Sequence, residues 1–466
     1  MVEKRQLVVI GAGPGGYAAA LRAAQLGMKT SLIEEDRVGG TCMNYGCIPT
    51  KFLLSQTKLL EDIKKNKRLE GVEKTAGLNW ARVQEEKKSI VDRLVKGVEF
   101  LLGRSGVELL RGKAFVDGQK RIHIQGPGGA QVLEAEHIIL ATGSRPADFP
   151  FLRADGKNIL TSREALELED IPLTLIVVGA GAIGLELGSV FARLGSDVTV
   201  LEIMPTILPG SDRQTVTRLE RLLKKQGIRI RTEVRLEESH VQEGEILLKG
   251  VCLRTQQALE FRAEKVLLAV GRKPNSEVLN GAFAGLLDER GFVRVDEHMS
   301  TKVPGLFAIG DIVGGKLLAH KAHHEGIVAA ENVAGLKASM DYKALPMAVF
   351  TEPELASVGL TEEEARERGL SYQTGLFSLQ ANGRAVTLEK PEGQVKLLAD
   401  SSGCLIGAHI LAPNASELIS ELTLAIRRGL TLDDISSTIH VHPTLSEAVM
   451  EAGWKARGMA IHALNE

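Results

Sequence analysis

The chain has 466 residues, too many for one hydrophobic core, so about three or four domains are expected. A net charge of -2 leaves no basic footprint for nucleic acid, and aromatics at 4% are too sparse for a base-stacking surface. No apolar run is long enough to span a bilayer, and the first apolar strand follows Met1 too closely for a signal peptide, so a cytoplasmic location is expected.

Leu7-Val8-Val9-Ile10 reads as a strand, Gly11-Ala12-Gly13-Pro14-Gly15-Gly16 as a turn into a helix, and the segment ending Leu32-Ile33-Glu34 as a second strand. In such a unit the first glycine makes the turn, the second lets backbone approach a pyrophosphate, and the third lets helix and strand pack closely. Phosphate then sits at the helix N-terminus, where free N–H groups and the helix dipole favour negative charge. Glu34, ending the second strand, is placed to accept hydrogen bonds from a ribose.

Just downstream lie Cys42 and Cys47, two of only four cysteines, in Gly39-Gly40-Thr41-Cys42-Met43-Asn44-Tyr45-Gly46-Cys47-Ile48-Pro49. Their spacing is wider than a CxxC site, and no second Cys or His cluster completes a zinc site, so no metal is expected. Positions five apart on an ideal helix point away from each other. A bridge between the two sulfurs therefore requires an irregular helix start, which Gly46 permits, and strained bridges are the more easily reduced ones. Cys252 and Cys404 stand alone and are expected as small buried side chains.

Residues 52 to about 103 place apolar residues at helical spacing (Val91, Leu94, Val95, Val98, Leu101), predicting one or two long amphipathic helices. Residues 106–135 read as short strands with a turn at Gly126-Pro127-Gly128-Gly129, and Ile138-Ile139-Leu140-Ala141-Thr142-Gly143-Ser144 as a strand entering a small-residue turn. Leu175 to Glu202 then repeats the opening unit, with Gly179, Gly181 and Gly184 in the turn and Glu202 ending the second strand. In both copies the acid falls 23 positions after the first glycine, so two dinucleotide sites are expected. Glu202 would repel a 2′-phosphate, which favours NAD over NADP at the second site.

Val266-Leu267-Leu268-Ala269-Val270-Gly271-Arg272-Lys273-Pro274 repeats the strand-then-turn pattern, and Leu306-Phe307-Ala308-Ile309-Gly310-Asp311 is a buried strand ending in an acid. From about Tyr342 the alternation in Val395-Lys396-Leu397 and Leu405 to Ile410 predicts an antiparallel sheet. Thr361 to Glu364 reads as a capping box, and helices are expected near 416–429 and 444–458. His442 before Pro443 has a plain reading as a turn residue, and Thr444-x-x-Glu447 is itself a capping box. The functional reading gives His442 a proton transfer that makes a thiolate, with Glu447 holding the imidazole tautomer.

Taken together, both glycine turns, the stretch from Gly39 to Lys51, Ala141 to Ser144, Gly310-Asp311 and His442 to Glu447 resemble the flavoprotein disulfide reductases over essentially the whole chain, most closely those that oxidise dihydrolipoamide. Tyr45 and Thr50 depart from the small aliphatic and Ser usual there and leave the cysteines untouched. The resemblance implies an α/β fold of two Rossmann-like dinucleotide-binding domains plus a C-terminal α+β dimerisation domain. It implies an FAD domain in residues 1–147 and 273–344, an NAD domain in 148–272 and an interface domain in 345–466. Cys42 would be the interchange thiol and Cys47 the charge-transfer and covalent partner of the flavin, with Lys51 and Glu186 paired near its reactive edge. Gly11, Gly13, Gly16, Glu34, Lys51, Ala114, Thr142, Gly143, Ser144, Asp311, Leu317, Leu318, Ala319 and His320 would bind FAD. Gly179, Gly181, Gly184, Glu186, Glu202 and Gly271 would bind NAD. In the family the histidine comes from the other subunit, so His442 implies a homodimer; lipoyl domains of 2-oxoacid dehydrogenase complexes or of the glycine cleavage system would be the further partners. A glutathione-type reductase is opposed by Glu202 and a mercuric-type one by a C-terminus without cysteines. An idle flavoprotein scaffold has no need of Cys42, Cys47, His442 and Glu447 together.

Overall fold

The computed structural model describes residues 3–242 and 244–465. β1 (Glu3–Ile10), α1 (Pro14–Gln25) and β2 (Thr30–Glu34) form the expected unit, with the strands parallel. Leu7, Val8, Val9 and Leu32 are fully buried, as parallel strands covered on both faces must be. α2 (Gly40–Tyr45), α3 (Cys47–Lys65), the short α4 (Val72–Thr75) and α5 (Trp80–Arg104) follow. α5 starts where the Asn79 side chain accepts the Arg82 N–H, and it buries Val83, Val91, Val95 and Leu102 along one stripe.

β3 (Glu108–Arg111), β4 (Lys113–Val116), β5 (Arg121–Gly126) and β6 (Gly129–Leu140) complete a sheet ordered β3-β2-β1-β6-β5-β4. β7 (Ser144–Pro146) leaves that sheet. β8 (Ile159–Leu160), α6 (Ser162–Leu166), β9 (Thr174–Val178), α7 (Ala182–Leu194), β10 (Asp197–Leu201), α8 (Arg213–Lys225) and β11 (Arg229–Arg231) begin a second parallel layer. β12 (Val234–Gln242), β13 (Glu245–Cys252) and β14 (Ala258–Ala263) make an antiparallel trio, and β15 (Lys265–Leu268) closes the second layer in the order β11-β10-β9-β15-β8.

β16 (Arg272–Pro274) pairs antiparallel with β7, so the turns after β6 and β15 meet in a two-stranded ribbon between the two layers. β17 (Leu306–Ala308) joins the first sheet beside β6, and α9 (Ala319–Val333) packs on α1. The last unit contains β18 (Met347–Val349), β19 (Glu354–Gly359), α10 (Glu362–Glu367), β20 (Tyr372–Ser378), α11 (Gly383–Thr387), β21 (Gln394–Asp400) and β22 (Leu405–Ala412). Its antiparallel sheet runs β18-β19-β22-β21-β20 and is backed by α12 (Ala415–Arg428), α13 (Leu432–Ser437) and α14 (Glu447–Ala456).

The capping box at α10 forms as expected: Glu364 accepts the Thr361 N–H at 2.9 Å and Thr361 accepts the Glu364 N–H at 3.1 Å. The expected box at Thr444 forms by half. Glu447 accepts the Thr444 N–H at 2.8 Å, but the Thr444 hydroxyl donates to Val441 O at 2.6 Å, and α14 begins at Glu447 rather than near residue 444. Cys252 and Cys404 are half-buried rather than buried, because each sits at a strand end where the chain turns. Among the described residues no helix is long and apolar enough to cross a membrane.

Candidate active site

The two glycine turns adopt the same structure. Ala12 N–H donates to Glu34 Oε2 at 2.7 Å and Ala180 N–H to Glu202 Oε2 at 2.7 Å; Asp36 N–H and Met204 N–H reach the other carboxylate oxygens at 2.8 and 2.9 Å. Each acid therefore braces its own turn, and its remaining lone pairs are free for ribose hydroxyls. Burial pushes the Glu34 carboxyl pKa up, against the pull of the two N–H donors. A Cβ on Gly11 or Gly179 would lie 2.4 Å from the carbonyl of Ala141 or Ala269, and both residues have positive φ. A Cβ on Gly16 or Gly184 would strike the first glycine's carbonyl at 1.8 or 2.1 Å. On Gly13 or Gly181 it meets nothing within 4 Å. Each helix thus begins at open space that leaves its free N–H groups accessible to a pyrophosphate.

The dithiol sits directly on the first cradle, since a Cβ on Gly40 would lie 2.8 Å from Gly13 Cα. Gly46, at φ -145° and ψ -109°, breaks the helix between α2 and α3 and turns the two sulfurs toward each other, as the spacing required. Both are free cysteines, and their side chains interact. The neighbouring Cys47 side chain, with burial, pushes the Cys42 pKa up. The Cys42 side chain, together with the Lys51 ammonium, holds the Cys47 pKa down in spite of burial. Of the two thiols, Cys47 is therefore the one whose anion is favoured.

One helical turn on, Lys51 Nζ donates to Glu186 Oε2 at 2.8 Å, joining α3 to α7. Glu186 Oε1 accepts the Phe350 N–H at 3.0 Å, and the Phe350 ring lies 4.3 Å beneath the Lys51 ammonium. On the other side, Ser144 donates to Asp311 Oδ2 at 2.5 Å and accepts from Arg272 Nε at 2.7 Å. Asn275 pins Thr142 through Nδ2 to Thr142 O at 2.8 Å and receives the Thr142 hydroxyl at 2.9 Å. Arg272 also lies within electrostatic reach of Cys47. Gly271 leads into the ribbon at φ +114° with open space around its Cα. Leu317 and Leu318 lead into the N-terminus of α9, where Ala319 begins the helix and His320 Nε2 meets Pro346 O at 2.8 Å. Ala114 lies on β4 opposite Ile124, two residues past Gly112, whose N–H donates to Glu34 O at 3.0 Å.

His442 and Glu447 form a dyad, Nδ1 to Oε1 at 2.9 Å. Partial burial notwithstanding, the Thr444 N–H and His442 hold the Glu447 carboxyl pKa down, so it is an anion able to fix the imidazole. The His442 side chain is 79% exposed, and no hydrogen bond or ion pair among the described residues ties its loop to α2 or α3. Phe350, Arg272 and Asn275 were missed by sequence reasoning. The second small-residue turn was the available signal for Arg272 and Asn275, and none existed for Phe350.

Two dinucleotide cradles with a dithiol seated on one of them define a nucleotide-dependent disulfide oxidoreductase. A family model described as pyridine nucleotide-disulphide oxidoreductase matches residues 5–326, and the dimerisation domain of the same family matches residues 345–453. The chain belongs to the pyridine nucleotide-disulphide oxidoreductase family. It is 43% identical to a dihydrolipoyl dehydrogenase of Haloferax volcanii, over 99% of this chain and 98% of that one. It is 45% identical to dihydrolipoyl dehydrogenase 2 of Haloarcula marismortui, over 98% of each. Among solved structures, LpdA from Mycobacterium tuberculosis superposes with a TM-score of 0.88 at 28% identity, covering 97% of this chain and 99% of that one. The cofactors are FAD and NAD, and the two cradles fit them.

Proposed function

We propose that this chain is a dihydrolipoyl dehydrogenase, catalysing dihydrolipoamide + NAD+ → lipoamide + NADH + H+. When bound, FAD carries the electron pair from the protein dithiol to NAD. The observation that carries the reading is the placement of the dithiol: Cys42 and Cys47 flank the break at Gly46, seated on the first cradle and one helical turn before the Lys51–Glu186 pair. Oxidation of the substrate dithiol breaks the Cys42–Cys47 bond of the oxidised enzyme. Two electrons and two protons leave the substrate as its own S–S bond closes. Cys42 exchanges with the substrate sulfur, and Cys47 faces the flavin.

His442 takes the proton from the incoming thiol, because only a thiolate attacks a disulfide, and Glu447 stabilises the imidazolium. Its exposure on its own subunit supports service to the dithiol of a second copy. The exposed apolar side chains Ile439, Val441, Leu424, Ile461 and Leu464, all in the C-terminal unit, are suited to cover against that copy. In this reading residues 1–147 and 273–344 hold FAD, 148–272 hold NAD, and 345–466 make the dimer. The FAD contacts come from Gly11, Gly13, Gly16, Glu34, Lys51, Ala114, Thr142 to Ser144, Asp311 and Leu317 to His320, and the NAD contacts from Gly179 to Glu186, Glu202 and Gly271. The substrate is a lipoyl group on the carrier domain of a cytoplasmic 2-oxoacid dehydrogenase complex or glycine cleavage system. Steady-state assay of the purified flavoprotein with dihydrolipoamide and NAD tests the reading. Turnover with NAD well above that with NADP is expected, and absence of turnover overturns it.

A further inference from the structure

Gly310, immediately before Asp311, is held in a way that neither residue can arrange for itself. It has φ +77° and no side chain, yet both of its peptide groups are gripped. Its N–H donates to Glu325 Oε2 at 2.7 Å, and its carbonyl accepts from Lys321 Nζ at 3.3 Å. Glu325 and Lys321 are one helical turn apart on α9, with Nζ 2.9 Å from Oε1 and 3.1 Å from Oε2, and their side chains are 0% and 3% exposed. A buried ion pair left one partner short is costly, because the surviving charge stays desolvated. The remaining acceptor site of Glu325 is filled by the Tyr342 hydroxyl, at 2.6 Å to Oε1. Burial and the Glu325 carboxylate push the Tyr342 pKa up, which keeps the proton on oxygen as a donor.

We infer that Tyr342, acting through the Lys321–Glu325 pair, is a positioning residue for the flavin: it fixes the Gly310 peptide and thereby the Asp311 carboxylate that would hold FAD. The inference rests on the assignment of Asp311 to FAD binding made above. Asp311 has Ser144 on one side and Arg272 Nε 3.7 Å away, so a rotation of the preceding peptide would carry its carboxylate out of both. Tyr342 comes from outside this layer. It lies on the segment that leaves α9 for β18, and four residues later the carbonyl of Pro346 meets His320 at 2.8 Å. That segment therefore touches the flavin face at Glu325 and again at the start of α9.

Tyr342→Phe keeps the ring and removes one donor to a charged acceptor. The experiment strips FAD from the holoenzyme, titrates it back by flavin fluorescence, and records the melting temperature of the apoprotein and NAD affinity for wild type, Tyr342→Phe, Asp311→Ala and the double variant. Tyr342→Phe should raise the FAD dissociation constant about tenfold, the size of one charge-assisted hydrogen bond. The apoprotein should melt only a few degrees lower, the cost of that one hydrogen bond, and NAD affinity should be unchanged. In the double variant the two effects should fall short of additive, because both act on one carboxylate. Unchanged FAD affinity in Tyr342→Phe, or full additivity, overturns the inference. If Asp311→Ala leaves FAD affinity unchanged, it is the assignment of Asp311 that fails.

Discussion

Replacing Gly181 by Ala separates folding from binding at the second cradle. Gly181 has φ -76° and ψ -177°, a conformation any residue adopts, and its Cβ would meet nothing within 4 Å. Stability should therefore hold or rise by about 0.4–1 kcal/mol, the usual gain when alanine restricts the unfolded chain. Gly179 offers the contrast, because alanine there takes φ +104° with its Cβ 2.4 Å from Ala269 O, so that variant is expected to unfold early. In the proposed reading, the space the Cβ enters at Gly181 is where backbone N–H groups approach a pyrophosphate. Holding the phosphate away forfeits one charge-assisted hydrogen bond or more, about 1.5–3 kcal/mol, or roughly a ten- to hundredfold rise in the KM for NAD. FAD content should be normal, since the first cradle is untouched. Steady-state kinetics with varied NAD, alongside thermal melts of both variants, make the measurement. A Gly181→Ala enzyme with unchanged NAD affinity would refute the assignment of this turn to a pyrophosphate. One that melts early would refute the reading of open space around its Cα.

Cys47→Ser should abolish turnover, retain FAD, and lack the long-wavelength absorbance that a thiolate against flavin gives on addition of dithiol, whereas Cys42→Ser should keep that absorbance; the reverse pattern would exchange the roles of the two sulfurs. His442→Gln should lower kcat by about 10²–10⁴ with little change in melting temperature, because the ring is exposed and Glu447 keeps the Thr444 N–H. A loss below tenfold would remove His442 from proton transfer. His409 is buried on β22, and burial pushes its pKa down although Asp212 opposes this. The unfolded chain therefore takes up the proton first, so stability present above about pH 6.5 is lost as pH falls, by up to about 1.4 kcal/mol per pH unit for this one group. Urea unfolding between pH 7 and 5 should show a shallower slope in His409→Gln, and an unaltered slope would mean His409 takes up its proton at the same pH in the fold as in the unfolded chain.

What was legible in the sequence was local or compositional. Both cradles are set by glycines and an acid on one strand–helix–strand unit, which spacing alone marks, whereas the bonds by which Glu34 and Glu202 brace their own turns emerge only from the fold. The break at Gly46 follows from helix geometry applied to two sulfurs that must meet. Where local rules failed, a competing contact won. Thr444 has the sequence of a capping box, but its hydroxyl turns to Val441 and the carboxylate that should serve only the cap is shared with His442. Sequence also hides partners delivered by distant segments. Phe350 closes over Lys51 from beyond β18, and the β7–β16 ribbon brings Arg272 to Ser144 across 128 positions. These illegible contacts share one property: each joins the dithiol or a cofactor face to a different unit of the chain. Local sequence can specify a cradle, but the charge around Cys47 depends on Lys51 and Arg272 being held by residues from Glu186 to Phe350, and thus on the packing of three units at once.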